Sequence, residues 1–431
     1  MADSDIQGYK CKACGGPLEF RGDLNKMFCK YCDSEYDLSE FEQEQEGSNA
    51  ALTAWDQKDW TQIQPGTKGM KEYNCTSCGA DLVTDENTGA TECPYCGSPV
   101  IVKDTFEGMF LPDGVIPFKV DKTAAQEALK NFYKGKKLLP KNFTDSNRID
   151  NINGMYVPFW LFDCTVEGEG RYEGKRKVGE FRRTERVGNE DRTVTYEEFE
   201  FFDVFREGSM QFEKIPADAS KEMNDAYMDS LEPYDFSAVV PYNSAYFSGY
   251  LANKYDETQE EVRDRVEKRV DSTMKLELSK TVTGYDSVST QKANTRITDS
   301  KVHYVMLPVW MLSTKYNNEI YSFAMNGQSG TVTGNLPVDS KRATGLLLKT
   351  AGIAMVIIEI FLAILEYNSE ILPHIIALVV SLFIGFAVLN NEKHKMVTHQ
   401  ASNAANYIVK DSFSLRRRYD SFSHKKTERK G

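Results

Sequence analysis

The sequence predicts a multidomain fold: two small cysteine-held ribbons at the N-terminus, an α+β antiparallel-sheet domain with a helical insert, and a C-terminal two-helix transmembrane hairpin. Three observations predict it. The pattern Cys-x2-Cys, fourteen residues, Cys-x2-Cys occurs twice, at Cys11, Cys14, Cys29 and Cys32 and, 64 residues later, at Cys75, Cys78, Cys93 and Cys96. Alternating and continuous apolar runs fill 105–340, interrupted by one stretch of helical period. Two further apolar runs, 345–366 and 371–389, each approach the roughly 20 residues that span a bilayer.

The ribbons come first. A Cys-x-x-Cys turn lets two thiolates converge on one ion, and two such turns at the ends of a short hairpin complete a tetrahedral shell with Zn–S bonds of about 2.3 Å. The flanks repeat with the cysteines: Gly15 matches Gly79, Leu18 matches Leu82 and Tyr31 matches Tyr95. Four thiolates leave no position for water or substrate, so two structural zinc ions are expected. Redox-active pairs sit at a helix start beside a strand, whereas turn residues such as Gly15-Gly16 and Gly79-Ala80 follow these pairs. The duplicated spacing also argues against disulfides, with iron the alternative metal. Ribbon one is assigned to 8–38, a linker to 39–70 and ribbon two to 71–103. The linker opens on the acidic SEFEQEQEG and closes on the Pro65-Gly66 turn; its Trp55 and Trp60 are expected to pack on a neighbouring module.

Net charge is −12 over 431 residues, and two filled sites make it about −16, since each Zn²⁺ meets four thiolates. Acidic side chains outnumber basic ones from Met1 to Glu46 and again from Lys71 to Val100, so neither ribbon supplies the basic patch that nucleic acid requires. Eight of the nine cysteines belong to the two sites, and Cys164, inside an apolar run, reads as a small core residue. MADSDIQGYK has no signal-peptide core, and free thiolates suit a reducing compartment, so the ribbons are expected in the cytoplasm.

The sheet domain, 105–340, is expected to open with a strand at Val115–Val120. Thr123 and Gln126 form a capping box for a helix whose apolar face is Ala125, Ala128, Leu129 and Phe132 and which Gly135 ends. Gly154–Gly168 reads as a long apolar core strand, and strand character continues to 215, with alternation in TVTYEEFEFFDVF. Gly168 and Gly170 in EGEG are expected to turn. Val262, Val266, Val270 and Met274 recur every fourth residue among charges such as Glu261 and Arg265, the pattern of an amphipathic helix on a sheet. Strands return at Lys301–Tyr316, where Pro308-Val-Trp310 echoes Pro158-Phe-Trp160. Asn326-Gly327 and Ser329-Gly330 then turn EIYSFAM back into TVTG.

Basic residues flank the two membrane runs: Lys341 and Arg342 before the first with Lys349 in its opening turn, and Lys393, Lys395 and Arg416 to Arg418 after the second. A short turn with Glu366 and Glu370 separates them. These flanks place both chain ends in the cytoplasm and the turn outside, as in a multi-pass cell-membrane protein with two spans. In the tail, 391–431, ten Lys/Arg face four Asp/Glu, which suits either a topology signal or contact with anionic lipid. Glu359 lies inside the first run, where an ionised carboxylate costs at least about 2.5–3.5 kcal/mol. Ser381 is its expected hydrogen-bond partner, holding the hairpin or a homo-oligomer together.

Catalytic chemistry is missing. Of five histidines only His303 precedes the hairpin, on an apolar strand where a satisfied core role is expected. The chain has no Walker loop, Rossmann fingerprint, GxSxG elbow or HExxH, so no catalytic or cofactor-binding residue is assigned. Lys175, Arg176, Lys177, Arg182, Arg183 and Arg186 cluster, but Glu173, Glu180 and Glu185 interleave with them, as on a solvated hairpin face; an anion or lipid-headgroup site is the alternative.

The segments CKACGGPLEF, CPYCGSPV, VIPFKVDKTAAQEALKNFYKGKKLLP, YVPFWLFD and YSFAMNGQSGTVTGNLP, spread over 8–340, resemble a bacterial family labelled TFIIB-type zinc-ribbon-containing proteins, sometimes PriA-like helicase. The resemblance implies two zinc ribbons and a sheet domain, with no established activity. Members with a membrane segment are similar to zinc-ribbon membrane proteins encoded beside SPFH (flotillin-like), TPM-domain and phage-shock-protein-A-like proteins. That implies a membrane-tethered adaptor in envelope stress, with SPFH/flotillin-like or phage-shock-protein-A-like partners. The expected function is therefore a non-enzymatic, membrane-anchored cytoplasmic scaffold. Nucleic-acid binding through the ribbons is the rival, which their acidity disfavours, and an enzyme using carboxylates is the third reading.

Overall fold

The computed structural model describes residues 9–41, 70–75, 81–85, 101–105, 112–365 (without 147–148, 188–189, 222 and 254), 371–397 and 403–430. Ribbon one is a three-stranded antiparallel sheet of β1 (Glu19–Arg21), β2 (Lys26–Phe28) and β3 (Glu35–Tyr36), in which Met27 opposes both Phe20 and Tyr36. Trp55, Trp60 and Pro65-Gly66 of the linker lie outside the described residues. The described part of ribbon two is β4 (Met70–Asn74), β5 (Asp81–Asp85) and β6 (Ile101–Thr105). Along the sheet domain follow β7 (Gly114–Val115), α1 (Lys122–Tyr133), α2 (Lys141–Ser146), β8 (Asn153–Val187), β9 (Glu190–Asp218), α3 (Asp225–Ser230), β10 (Val240–Pro241), β11 (Leu251–Asn253), α4 (Gln259–Lys280), β12 (Ser287–Tyr316), β13 (Glu319–Asn326) and β14 (Val332–Gly334). Two long helices, α5 (Ser340–Ile364) and α6 (Ile371–His394), precede a last strand, β15 (Ser414–Arg429).

Among the described residues all strands from β4 onward belong to one 12-stranded sheet, and ribbon two enters it through β5, which pairs with β11. At its centre β8 lies between β12 and β9. At about 3.3 Å per residue, the 35 residues of β8 run roughly 115 Å. Bulges break so long a ladder: Lys214, at φ 57°, is the extra residue opposite Asp163, whose carboxylate accepts from its N–H at 2.8 Å. The echo between the two Pro-x-Trp segments is a local twofold: Val157 opposes Leu307, and the prolines and tryptophans fall symmetrically about that pair. The indole of Trp160 donates to Glu257 O at 2.9 Å and that of Trp310 to Val120 O at 3.0 Å.

The first part of β8 is buried on both faces, from Tyr156 to Phe162. Beyond it only alternate residues are covered, by α4, which packs Val262, Val266, Val270, Met274 and Leu278 against the sheet. Thr258 caps α4 in a full capping box with Glu261. Gly168 and Gly170, expected in a turn, lie instead within β8. A Cβ at Gly168 would sit 2.8 Å from Met274 Cγ, so glycine is what lets the helix approach this closely. Two smaller expectations also give way. Pro117 has no N–H to extend a ladder, and of the expected Val115–Val120 strand only Val115 lies in the observed one, Gly114–Val115. The N-cap of α1 is Asp121, which accepts from Ala124 N at 2.7 Å, in place of a Thr123/Gln126 box; Gly135, at φ +77°, ends the segment as expected.

The distal sheet is a single layer with the order β12, β8, β9, β15. Its aromatic rings lie under polar side chains: Lys175 Nζ is 3.7 Å from the Phe199 ring centroid, and the His424 ring stacks on Phe201 at 4.6 Å. The basic cluster is indeed a solvated face laced with ion pairs, such as Arg176–Glu200 at 3.0 Å and Lys177–Glu197 at 2.6 Å. The tail, expected as a topology signal or a lipid-contacting segment, carries a strand the sequence did not announce: β15 pairs with β9 from Ser414↔Ser209 to Arg429↔Tyr196. Its charges answer carboxylates on the sheet, as in Arg416–Glu167 at 2.5 Å and Lys425–Glu200 at 3.3 Å.

By length and composition α5 and α6 can each cross a membrane, and most of their apolar side chains face outward. Their shared seam is small: Ala351, Ala354, Ala377, Ser381 and Gly385 are buried. The base of this hairpin is clamped by the loop between α1 and α2. Asp339 N donates to Leu138 O at 2.9 Å, Arg342 donates to Leu139 O, and Lys137 pairs with the buried Glu392 at 3.3 Å. Past α6 the chain is latched again. Arg269 of α4 pairs with buried Glu232 at 2.5 Å, and the Tyr407 hydroxyl donates to the same carboxylate at 2.7 Å.

Candidate metal centre

Ribbon one brings together the cysteines that the sequence singled out. Two turns of the same construction present them. In the first, Gly15 N donates to Cys11 O at 2.8 Å and Cys11 N donates to Gly16 O at 2.7 Å. In the second, Asp33 N donates to Cys29 O at 2.8 Å and Cys29 N to Ser34 O at 3.0 Å. Gly15 and Asp33 occupy equivalent positions with φ of 74° and 57°, the left-handed conformation that lets each turn fold its sulfurs inward.

The four Sγ atoms lie within 4.8 Å of one another, with Cys11 and Cys32 3.4 Å apart and Cys14 and Cys29 3.5 Å apart. A tetrahedron with 2.3 Å bonds needs sulfurs about 3.8 Å apart, so the set fits one thiophilic ion. Cys11 and Cys29 are buried while Cys14 and Cys32 face solvent. Cys11 also meets Tyr36, whose hydroxyl is 3.2 Å from its sulfur and accepts from Ala13 N at 3.1 Å. That hydroxyl brings the Cys11 thiol down to about 5, favouring the ligating thiolate. By contrast Cys14 is pushed up to about 12: the Gly16 N–H favours its thiolate, but hydrogen bonds with Cys32 and Cys29 favour the thiol. A doubly charged cation would remove that competition. Ser34 Oγ, 3.2 Å from Cys32, completes the outer ring. Neither Tyr36 nor Ser34 carries a spacing signal in the sequence.

Of the second set, Cys75 is buried, and Cys78, Cys93 and Cys96 lie outside the described residues. Cys164 is buried in the core as expected, and burial pushes its thiol up to about 12. His303, part-buried on β12, has Nδ1 3.9 Å from Asp113. Glu359 does not bond Ser381. Its Oε2 lies 2.7 Å from His374 Nδ1, while the Ser381 hydroxyl donates to Leu378 O at 2.8 Å within its own helix. Since α5 already ends at Ile364, the point level with Glu359 falls nearer the start of α6 than the sequence implied.

Ribbon one is seated firmly on the sheet domain. Phe20 N donates to Ser248 O at 3.0 Å, and its ring meets Tyr246 edge-on at 4.9 Å. A Cβ at Gly22 would lie 1.3 Å from Phe118 O, so only glycine permits this contact.

No family model matches the chain, and no solved structure matches it. Among curated sequences it is similar to the uncharacterised protein YdjG of Bacillus subtilis, 32% identical across a 329-residue alignment that takes in 65% of this chain and 94% of the relative. A short stretch of 35 residues, 8% of the chain, is 46% identical to 71% of DNA-directed RNA polymerase subunit Rpo12 of Thermococcus onnurineus.

Proposed function

The chain belongs to the family of Bacillus subtilis YdjG, and we propose that it is a membrane-anchored zinc-ribbon scaffold that binds protein partners on the cytoplasmic side. One observation carries the reading. A single apolar core runs from Cys11, Phe20 and Cys29 of ribbon one, through the central strands, to Ala343, Leu389 and Met396 at the base of the helical hairpin. Such continuity makes the ribbon a fixed feature of the anchored domain, since separating them would expose apolar surface at about 25 cal/mol per Å². A four-thiolate shell has no open position, which suits a rigid recognition surface better than a reacting centre.

On this reading each ribbon holds one zinc ion, the second through Cys75, Cys78, Cys93 and Cys96. The hairpin crosses the cell membrane twice, with both chain ends in the cytoplasm. Partners of the SPFH/flotillin-like or phage-shock-protein-A-like kind follow from the family resemblance. Proximity labelling in living cells tests the scaffold. Intact chain should mark a defined set of protein neighbours that disappears both on deletion of the hairpin and in Cys11→Ser. Neighbours unchanged by both alterations would overturn it.

The likeness to an RNA polymerase subunit favours one second reading, a nucleic-acid-binding ribbon tethered to the membrane. Around ribbon one the charge is against it: Glu19, Asp23, Asp33, Glu35, Asp37 and Glu40 outnumber Lys10, Lys12, Arg21, Lys26 and Lys30, and Lys30–Glu19 and Lys12–Glu40 already pair at 2.6 and 2.8 Å. Salt-sensitive binding of short DNA or RNA by the full chain, at micromolar affinity and physiological salt, would favour this reading over the scaffold.

A further inference from the structure

Where β9 ends, three carboxylates from three separate segments converge. Asp218 closes the strand, Asp225 stands in the first turn of α3, and Glu257 immediately precedes the cap of α4. One oxygen from each lies within 4.8 Å of the others. Asp218 is wholly buried; Arg265 stands against its Oδ1, and its Oδ2 has no hydrogen-bond partner among the described residues. Arg265 of α4 is the cation beside them, with Nη2 2.9 Å from Asp218 Oδ1 and Nη1 2.6 Å from Asp225 Oδ1. These are ion-pair contacts of poor hydrogen-bond geometry: Nη2 donates to the main-chain oxygen of Asp218 at 2.9 Å, and Nη1 makes no hydrogen bond. Among the described residues Arg265 and, more weakly, Lys221 stand against three carboxylates, and Asp229 adds negative potential. Burial lifts the Asp218 carboxyl to about 7 and raises that of Glu257 as well.

We propose that Asp218, Asp225 and Glu257 form a binding site for one hard divalent cation. All three donors are oxygens, which selects Mg²⁺, Mn²⁺ or Ca²⁺ over the thiophilic ion of the ribbons. Oxygens on opposite sides of Ca²⁺ are about 4.8 Å apart, so three oxygens lying within 4.8 Å of one another can share one such ion, with water filling the remaining positions. Asp225, whose side chain is 53% exposed, is the solvent-side ligand and the point of entry. Bound there, the ion gives Asp218 Oδ2 a partner that Arg265 does not supply. It also ties the end of β9 to the starts of α3 and α4, the helix that covers the central sheet.

Mn²⁺ titration of the full-length, zinc-loaded chain in detergent, with free Mn²⁺ read by electron paramagnetic resonance, tests the site. One saturable site per chain is expected at about 10⁻⁴ M or tighter, within the range of oxygen-ligand sites, with Ca²⁺ or Mg²⁺ competing. Asp225→Asn and Glu257→Gln should each weaken it at least about tenfold, with zinc content and circular dichroism unchanged; two variants guard against one that misfolds. Absence of a saturable site would show that Arg265 and Lys221 answer the cluster. Saturation unaltered in both variants would show that Mn²⁺ spreads over the acidic surface. Either result overturns the proposal.

Discussion

Gly22→Ala should unseat ribbon one from the sheet domain. The new Cβ would lie 1.3 Å from Phe118 O and 2.3 Å from its carbonyl carbon, both main-chain atoms that no rotamer change can move. Carbon and oxygen need about 3.3 Å, so the ribbon must withdraw by roughly 2 Å. That displacement breaks the Phe20 N to Ser248 O hydrogen bond, separates Phe20 from Tyr246 and lets water reach the Phe20 ring. About 1 kcal/mol for the hydrogen bond, 0.5–1.5 for the ring pair and 1.5–3 for the buried side chain add to about 3–5.5 kcal/mol. The cysteine turns are local and should keep their metal. Hydrogen exchange followed by mass spectrometry should show residues 18–28 and 244–250 losing protection at unchanged zinc content. Gly345→Ala, whose Cβ meets nothing within 4 Å, is the control and should be silent. Full protection retained in Gly22→Ala would refute the packing of ribbon on sheet.

Other expectations follow from single contacts. Tyr36→Phe removes the hydroxyl beside Cys11 and should weaken zinc binding at ribbon one roughly 10- to 100-fold in a chelator competition, leaving ribbon two unchanged. The Arg206 guanidinium holds the Asp420 carboxyl below the usual carboxylate range, so its stabilisation is whole above about pH 4 and drains away as pH falls through the lowered value. Asp420→Asn should cost about 1–2 kcal/mol, discounted for its partial exposure, and hasten proteolysis within 414–430 at neutral pH. Cys164 should resist alkylation at pH 8 in the folded chain and react once denaturant is added; ready labelling of the native protein would contradict its burial. Glu359→Gln keeps a hydrogen-bonding group for His374 and should leave the hairpin intact, whereas Glu359→Leu should weaken association of the two helices by about 0.6 kcal/mol; equal losses would mean that the charge itself is needed.

What the sequence made legible was chemistry or periodicity written over short distances. Cys11, Cys14, Cys29 and Cys32 declare their site because metal geometry is built by two local turns. The four-residue period from Val262 to Met274 declares α4 because one face alone is buried. Contacts across long separations were hidden. Nothing in RRRYDSFSHKK reads as a strand, because a single-layer sheet is wet on both faces and imposes no apolar alternation; its partner in β9 is about two hundred residues away. Gly168 looked like a turn because the reason for it, Met274 of a later helix, is invisible locally. For Glu359 the error was one of depth: the helix stops before the apolar run does, which brings His374 level with it in place of Ser381.

Zinc quantified per chain in carbonate-washed membranes tests most directly the proposal of a zinc-ribbon platform fixed to the membrane. Full-length chain should remain in the washed membranes and carry two zinc ions, falling to about one in Cys11→Ser. Release of the chain into the wash, or less than one zinc per retained chain, would contradict it.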